Sequence, residues 1–412
     1  MQRGKVAGLD LGTTKVAVVV AEVDEHRQAR IIGVGLSPSH GMRKGTVINL
    51  EKTVNSIRKA VEEAQNMVGF KIDSAYVGIA GGHISSMNNK AMISVEKPGG
   101  EITKKDMTRV IEQAQSVGIP PDREIIHVIP IEFKVDGDPG IKDPVGMFGR
   151  RLEVEVHIVT GAVTSAQNIY KAVRRAGLQV KDIVLQPLAS SYAVLEPDEK
   201  DLGVLLVDIG GGTTDIAIFK DGSIRHTQVI GLGGENITND IALGLRTPPK
   251  EAEEIKKKYG CAMAKLLEED DTEIEIKGVG GRNPRKVSRK TLSAIIEPRV
   301  EEILSIAYRE VRKVWDPELL AAGVVLTGGT SRLTGIEQLA EEIFDLPVKV
   351  GRPRAISGLT DIVEDPIFST AVGLVKYGIE KQNLTFIKTK EGGNNVFDAI
   401  LQRMKKWFKE FF

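Results

Sequence analysis

The sequence predicts an α/β fold of two similar lobes facing each other across a cleft, extended by a small α+β insertion and a C-terminal amphipathic helix. Three observations carry this expectation. The pattern of residues 6–22, VAGLDLGTTKVAVVVAE, returns at 204–220 as VLLVDIGGGTTDIAIFK, and a repeated unit of this kind implies a repeated supersecondary structure. Between the copies, residues 84–162 carry a helical period followed by two strand-like runs. At the far end a glycine-bearing stretch gives way to an aromatic and lysine-rich helical pattern over 396–412.

Bulk properties narrow the function classes. A chain of 412 residues suffices for two domains or one large bilobal body. The 56 basic and 56 acidic residues balance, which argues against bulk nucleic-acid binding, since that needs a basic excess to displace counterions. The single cysteine, Cys261, allows no internal disulfide framework and fits a reducing compartment. The opening MQRGKVAGLDLG runs straight into a strand pattern, so no secretory signal is expected. No apolar run reaches the roughly 18 residues of a membrane span. The six histidines show no HExxH or paired spacing, so no zinc site is expected.

Taken in order, the first repeat reads as two strands joined by a short glycine turn, a β-hairpin. Gly12 there, and Gly210, Gly211 and Gly212 in the second copy, permit tight turns that bring backbone N–H groups against an anion. Thr13, Thr14, Thr213 and Thr214 can add hydroxyl donors to phosphate oxygens, with the Thr-Thr pairs read in register. Asp10 and Asp208 would repel phosphate directly. They make sense if a divalent cation, or its water shell, lies between. An ordinary hairpin accounts for either copy alone; the matched pair favours phosphate.

Further segments add to this set. VLQPLASSYAVL (184–195) is a strand followed by Pro187 in a first helical turn, leaving Gln186 where it could orient a water. Gly233 and Gly234 extend the glycine-lined set. EAEEIKKKYG (251–260) reads as a helix with Glu253 and Lys256 on one face, suited to ribose hydroxyls and a base, or simply a solvated ion pair. VVLTGGTSRLTG (324–335) is a strand and a Gly-Gly turn, where Gly328 and Gly329, flanked by Thr330 and Arg332, admit a flat adenine and its phosphate.

Together these five segments, closed by DPIFSTAVGLVKYG (365–378), resemble the ATPase fold shared by actin, the large heat-shock chaperones and hexokinase, in the order that superfamily uses them. The resemblance implies ATP with Mg²⁺ held through water by Asp10 and Asp208. It also implies a water-positioning role for Gln186, an actin-like choice of residue. Lys15 falls in the phosphate set, though it departs from the spacing of the actin phosphate lysine. EITKKDMTRVIEQAQSV reads as an amphipathic helix, and REIIHVIPIEFKVDG and RRLEVEVHIVTG as strands. The stretch IIHVIPIEFKVDG…GIKDPVGMFGRRLEVEVHIVTG closely resembles the signature of the FtsA family of bacterial cell-division proteins, as do SHGMRKGTVINLEKTVNSIRKAVEEA (39–64) and AYVGIAGGHI (75–84).

What the FtsA resemblance implies is specific. It predicts an actin-like protein that binds ATP, polymerises on itself, tethers the FtsZ ring to the cytoplasmic face of the cell membrane at the septum and recruits later divisome proteins. ATP is expected mainly as an assembly cofactor, with slow hydrolysis at most, because Gln186 cannot accept a proton. Within RKTLSAIIEPRVEEI (289–303), Arg299 is the expected contact for the acidic FtsZ tail; pairing with Glu302 on the same helix is the bland alternative. Lobe one is expected at 1–83, 163–200 and 360–380, the insertion at 84–162, and lobe two at 201–359 with an outer subdomain near 236–318.

Residues 381–395, with Gly392-Gly393, are expected to form a linker. Beyond it Phe397, Ile400, Leu401, Met404, Trp407, Phe408 and Phe411 share one helical face, with Lys405 and Lys406 on the other. Arg403, Lys405, Lys406 and Lys409 against Asp398 and Glu410 leave the segment basic. That mixture suits an anionic bilayer interface, and each lysine near such a surface adds about 1 kcal/mol. Docking on the protein's own body is the alternative. A pilus-assembly protein of the PilM type shares the insertion but would not be expected to carry this tail. A small-molecule kinase of the same fold would need a carboxylate base and an acceptor pocket, neither of which is assignable.

Overall fold

The computed structural model describes residues 4–23, 28–95, 100–270, 272–281 and 283–391, with backbone only at 281 and 382–391. The first lobe opens with β1 (Lys5–Leu11), β2 (Lys15–Val23) and β3 (Ala29–Pro38). A small hairpin of β4 (Met42–Arg43) and β5 (Thr46–Val47) leads into α1 (Leu50–Val68) and β6 (Ser74–Ile79). The insertion supplies β7 (Ser85–Ser94), α2 (Lys104–Gln115), β8 (Arg123–Val135), β9 (Asp138–Ile141) and β10 (Arg151–Ala162). The chain then returns through α3 (Val163–Arg175), β11 (Gln179–Leu185), α4 (Gln186–Val194) and α5 (Pro197–Leu202).

The second lobe begins with β12 (Val204–Ile209), β13 (Thr214–Lys220), β14 (Ser223–Ile230), α6 (Gly234–Gly244) and α7 (Pro249–Tyr259). It continues with β15 (Glu273–Ile276), β16 (Arg285–Ser288), α8 (Arg289–Val314), β17 (Val324–Thr327), α9 (Ile336–Phe344) and β18 (Val348–Val350). Last come β19 (Ile356–Gly358), α10 (Thr360–Val363) and α11 (Ser369–Glu391).

The repeat is realised in the sheets. One sheet runs β11-β6-β1-β2-β3-β19 and the other β18-β17-β12-β13-β14. In each, three antiparallel strands are followed by two parallel ones on the side of the first strand. β1 and β12 lie at the centre, buried on both faces over almost all their length, which explains their unbroken apolar sequences. β19 joins the first sheet beside β3. The first lobe therefore regains the chain at Ile356, a little before the expected 360; three residues are too few to show a strand period.

The insertion folds as a sheet of order β7-β10-β8-β9 covered by α2. It leans on the second lobe's edge strand, β14. Ser86 Oγ donates to the Thr227 carbonyl at 2.8 Å and Ser223 Oγ to the Ile131 carbonyl at 3.0 Å. His157 bridges Asn88 Oδ1 and Thr227 Oγ1 at 2.7 and 3.0 Å, and burial pushes its pKa down to about 3, so it bridges as the neutral ring.

Between the sheets α4 and α11 cross in close contact. A Cβ on Gly373 would stand 1.9 Å from the Ala189 carbonyl oxygen, and one on Gly8 of β1 would stand 2.4 Å from the Ala371 carbonyl. Only glycine permits backbones this near. α11 also corrects the expected linker: the backbone is helical through Glu391. No glycine or proline interrupts 379–391, and the first breaker is Gly392. The expected membrane residues, Phe397 to Phe411, lie outside the described residues.

Gly373→Ala should lower stability by about 1–3 kcal/mol, as overpacking does in close-packed interiors. Gly118→Ala, where an added Cβ would meet nothing within 4 Å, should leave the melting temperature unchanged. Thermal denaturation of the two variants side by side checks the pair.

Candidate functional site

The β1–β2 and β12–β13 turns have identical construction. Gly12 N donates to the Lys15 carbonyl at 2.9 Å, and Gly210 N to the Thr213 carbonyl at 2.9 Å. Strand pairing matches Leu11 with Val16 and Ile209 with Thr214, so each connection holds four residues. This corrects the expected register. Thr13 and Thr14 occupy the places of Gly211 and Gly212, whereas Thr213 matches Lys15 and Thr214 matches Val16. Thr214 is accordingly the first residue of β13, fully buried, with its hydroxyl donating to the Leu232 carbonyl at 2.9 Å. It does not line the cleft, and the N–H groups of Gly12 and Gly210 are spent on closing the turns.

The two tips meet. A Cβ on Gly211 would stand 2.4 Å from Thr14 Cγ2, and one on Gly212 would stand 2.4 Å from Thr13 Oγ1. Each tip thus lies against the other in a cross, and the glycines leave room for the opposing threonines. Around them opens a cavity of about 380 Å³. It is lined by Asp10, Gly12, Thr13, Thr14, Lys15, Gln186, Asp208, Gly210, Gly211, Gly212 and Thr213 on one side. Gly234, Glu253, Lys256, Gly328, Gly329, Thr330 and Arg332 line the other. Gly233 lies behind this lining, with an added Cβ 2.7 Å from the Gly210 carbonyl oxygen; it supports the second turn from outside.

The carboxylates sit at the floor. Asp10 accepts from Lys15 Nζ at 2.6 Å and from Gln186 Nε2 at 3.1 Å. Asp208 accepts from Ser190 Oγ at 2.6 Å and from Thr370 Oγ1 at 3.4 Å, a long contact, so the N-terminal turn of α11 reaches the site. Sequence reasoning missed a third, Asp215, which the four-residue turn places directly across from Asp208 in the β-ladder. Its Oδ2 accepts from Thr213 Oγ1 at 3.0 Å, while Oδ1 is buried without a partner. Burial, with the neighbouring Asp208 charge, pushes its pKa up to about 8. Asp208 is likewise raised by burial to about 6, against the pull of the Ser190 hydrogen bond.

Such a floor disfavours accumulated negative charge unless a cation accompanies the ligand. Among the described residues, no three His, Cys, Asp or Glu side chains are close enough to cage a bare ion. Asp10 and Asp208 could therefore hold a divalent cation only through its water or through oxygens of a ligand. The orphaned Asp215 oxygen is the group that would gain most from it.

The opposite wall is a locked network. Lys256 Nζ donates to the Gly234 carbonyl at 2.9 Å and to Thr238 Oγ1 at 2.8 Å, and pairs with Glu253 at 2.7 Å. The Thr238 hydroxyl also donates to Glu253. The pair is therefore not a solvated one: Lys256 is buried, fastening α7 to the start of α6. Thr330 Oγ1 donates to the Gly210 carbonyl at 3.1 Å, and Arg332 pairs with Asp365 at 3.3 Å. Arg299 lies elsewhere, on α8, with Asp240 of α6 at 2.5 Å and Glu302 as its partners. The pairing with Glu302 expected from the helical spacing is present, and Asp240, distant in sequence, completes it.

Comparisons with known proteins identify the family and the fold. A family model described as cell division protein FtsA matches residues 205–373, and one for the SHS2 domain inserted in FtsA matches 81–160. A protein of Pseudomonas aeruginosa named cell division protein FtsA is 48% identical, over 99% of this chain and 98% of its own. Among solved structures, the PilM–PilN type IV pilus biogenesis complex aligns at TM-score 0.66 and 17% identity, over 92% of this chain and 99% of that one. MreB 5 of Spiroplasma citri bound to AMPPNP gives 0.57 at 16% identity, over 95% and 99%. A MamK double helical filament gives 0.52 at 12%, over 91% and 98%. At such identities the structures show a shared actin-like fold and nothing finer.

The carboxylate floor generates a pH signature in the ligand-free protein. With Asp208 and Asp215 raised above their unfolded values, the folded state binds more protons between about pH 4 and 8. Their stabilising contribution is full below that window and is lost as pH rises through about 6 and then about 8. Asp215→Asn should raise the melting temperature at pH 8 by a few degrees and change it little at pH 5. An equal shift at both pH values would mean that Asp215 is not protonated in the fold.

Proposed function

The chain belongs to the FtsA family of cell-division proteins, and from that premise we propose that it binds Mg-ATP in the cleft, polymerises as an actin-like filament and ties the FtsZ ring to the cytoplasmic face of the cell membrane. The observation that carries the nucleotide reading is the crossing of two matched glycine and threonine hairpin tips above buried aspartates. In it Thr13, Thr14, Gly211, Gly212 and Thr213 would bind phosphates, Asp10 and Asp208 the hydrated Mg²⁺, and Gly328, Gly329 and Thr330 the nucleoside. Held there, the metal would supply charge neutralisation at the phosphates. Glu253 and Lys256 support the nucleoside wall by holding α7 against α6, with Arg332 at its rim.

ATP acts mainly as an assembly cofactor. Gln186 stands at the first turn of α4 beside Asp10 and can orient water, but its amide cannot take a proton. Filament formation is supported by the actin-like fold, and by the MamK filament in particular. An FtsZ tail would dock on the α8 face, its carboxylate exchanging with Glu302 on Arg299. Later divisome membrane proteins would be recruited to the assembled filament.

Attachment to the membrane is proposed for the 396–412 segment, with Phe397, Ile400, Leu401, Met404, Trp407, Phe408 and Phe411 entering the interface. No described helix is long and apolar enough to cross a bilayer. One interfacial helix anchors modestly, and polymerisation would multiply it through avidity.

Co-sedimentation with anionic liposomes in the presence of ATP tests the tether. The full chain should pellet with lipid, and a chain ending at Asn395 should stay in the supernatant. Equal behaviour of the two would sink the membrane role of the tail and return the PilM-type reading to first place.

A further inference from the structure

The cations lining the cleft all have partners. Lys15 is held by Asp10, Lys256 and Lys257 by Glu253, and Arg332 by Asp365; Lys258 lies over the Tyr259 ring. Lys15 in particular stands where a phosphate lysine would be sought, yet its ammonium is 2.6 Å from a carboxylate that the site needs. Among the described residues of the lining, only Lys258, which lies over its neighbour's ring, has no carboxylate partner.

One lysine beside the lining is different. The turn between β4 and β5 is Lys44-Gly45, both left-handed, at φ 48° and 75°. Gly45 lines the cavity, and its N–H donates to Thr13 Oγ1, at 3.3 Å, on the first hairpin tip. Lys44 is exposed and has no ion-pair partner among the described residues. Its side chain reaches the second lobe, with Cδ and Nζ each 3.8 Å from where a Cβ on Gly231 would stand. Gly231 begins the loop that carries Gly234 into the lining. Arg43, the preceding residue, exerts its charge on Glu235 of the same region. A left-handed conformation at a residue that is not glycine is uncommon and is often kept for a purpose; here the same turn sets Gly45 against Thr13 and brings the Lys44 ammonium to the second lobe.

We propose that Lys44 is the cation that meets the terminal phosphate of a bound nucleoside triphosphate, joining the first lobe's short hairpin to the second lobe through the ligand. The inference rests on the nucleotide reading given above. It separates Lys44 from Lys15: the latter keeps Asp10 in place, while the former distinguishes a triphosphate from a diphosphate. A charge-assisted contact to one phosphate oxygen should be absent from the diphosphate complex.

Titration calorimetry of the full chain with Mg-ATP and with Mg-ADP tests it, using Lys44→Gln, Lys44→Arg and Lys15→Gln. Lys44→Gln should weaken ATP roughly ten- to hundredfold, the range for a hydrogen bond to a charged group, and leave ADP unchanged. Lys44→Arg should keep most of the preference for ATP, and Lys15→Gln should weaken both ligands alike. Because Lys44 is exposed, Lys44→Gln should melt as the parent does; Lys44→Gly, which suits the positive φ, serves as a second neutralising variant. If the parent binds neither ligand, the nucleotide reading falls and takes this proposal with it. If the parent prefers ATP and the Lys44 variants keep that preference, or if Lys15→Gln alone abolishes it, only the assignment of Lys44 falls.

Discussion

The crossing of two hairpin tips is the contact on which the rest of this molecule depends. Thr13 and Thr14 occupy the space that side chains at 211 and 212 would need. Neither lobe could bring its central strands this close if both tips carried side chains, nor could two bare glycine tips fill the gap. The asymmetry between threonine on one side and glycine on the other lets a duplicated structure meet itself face to face. The carboxylates gather round the crossing: Asp10 and Asp208 lie one residue before the ends of the strands that lead into the turns, Asp215 lies in the strand after the second, and Gln186 and Thr370, at the starts of α4 and α11, donate to Asp10 and Asp208.

That arrangement concentrates negative charge in a place with little water. The structure meets part of the cost with hydroxyl donors from Ser190 and Thr370 and with the ammonium of Lys15. It leaves one oxygen of Asp215 with nothing. Buried polar groups without partners are uncommon in folded proteins and call for an explanation, a bound ion among them. The site is thus poised electrostatically for a ligand that arrives with its own cation. The Glu253–Lys256–Thr238 wall, in contrast, is satisfied internally and works as scaffold.

Much of this was legible in the sequence. The duplicated strand–Asp–glycine pattern gave away two lobes because a strand buried on both faces has an unbroken apolar run, and β1 and β12 have little else. The insertion showed itself through an abrupt change of period. The position of Thr214 was not legible, because aligning Thr-Thr with Thr-Thr looks right in letters and is wrong in geometry: equal turn lengths override identical residues. Asp215 escaped for the same reason, since its place opposite Asp208 follows only from the true register. Asp240 as the partner of Arg299 could not be inferred either, as fifty-nine residues separate them and only the packing of α6 on α8 joins them. β19 is too short to carry a period, and the helical backbone through Glu391 lies where expectation placed a linker on weakened periodicity and the Gly392-Gly393 pair.

One consequence of α11 concerns thermodynamic linkage. Its first turn places Thr370 against Asp208, and its backbone runs on for 23 residues, about 35 Å at the helical rise. Close contacts of Gly373 with Ala189, of Gly378 with Tyr76 and of Ala371 with Gly8 of β1 pack its first half tightly. The floor of the cleft and the root of the C-terminal segment are therefore two ends of one lever. Any ligand at either end whose affinity depends on where that lever lies must alter the affinity at the other end by the same factor.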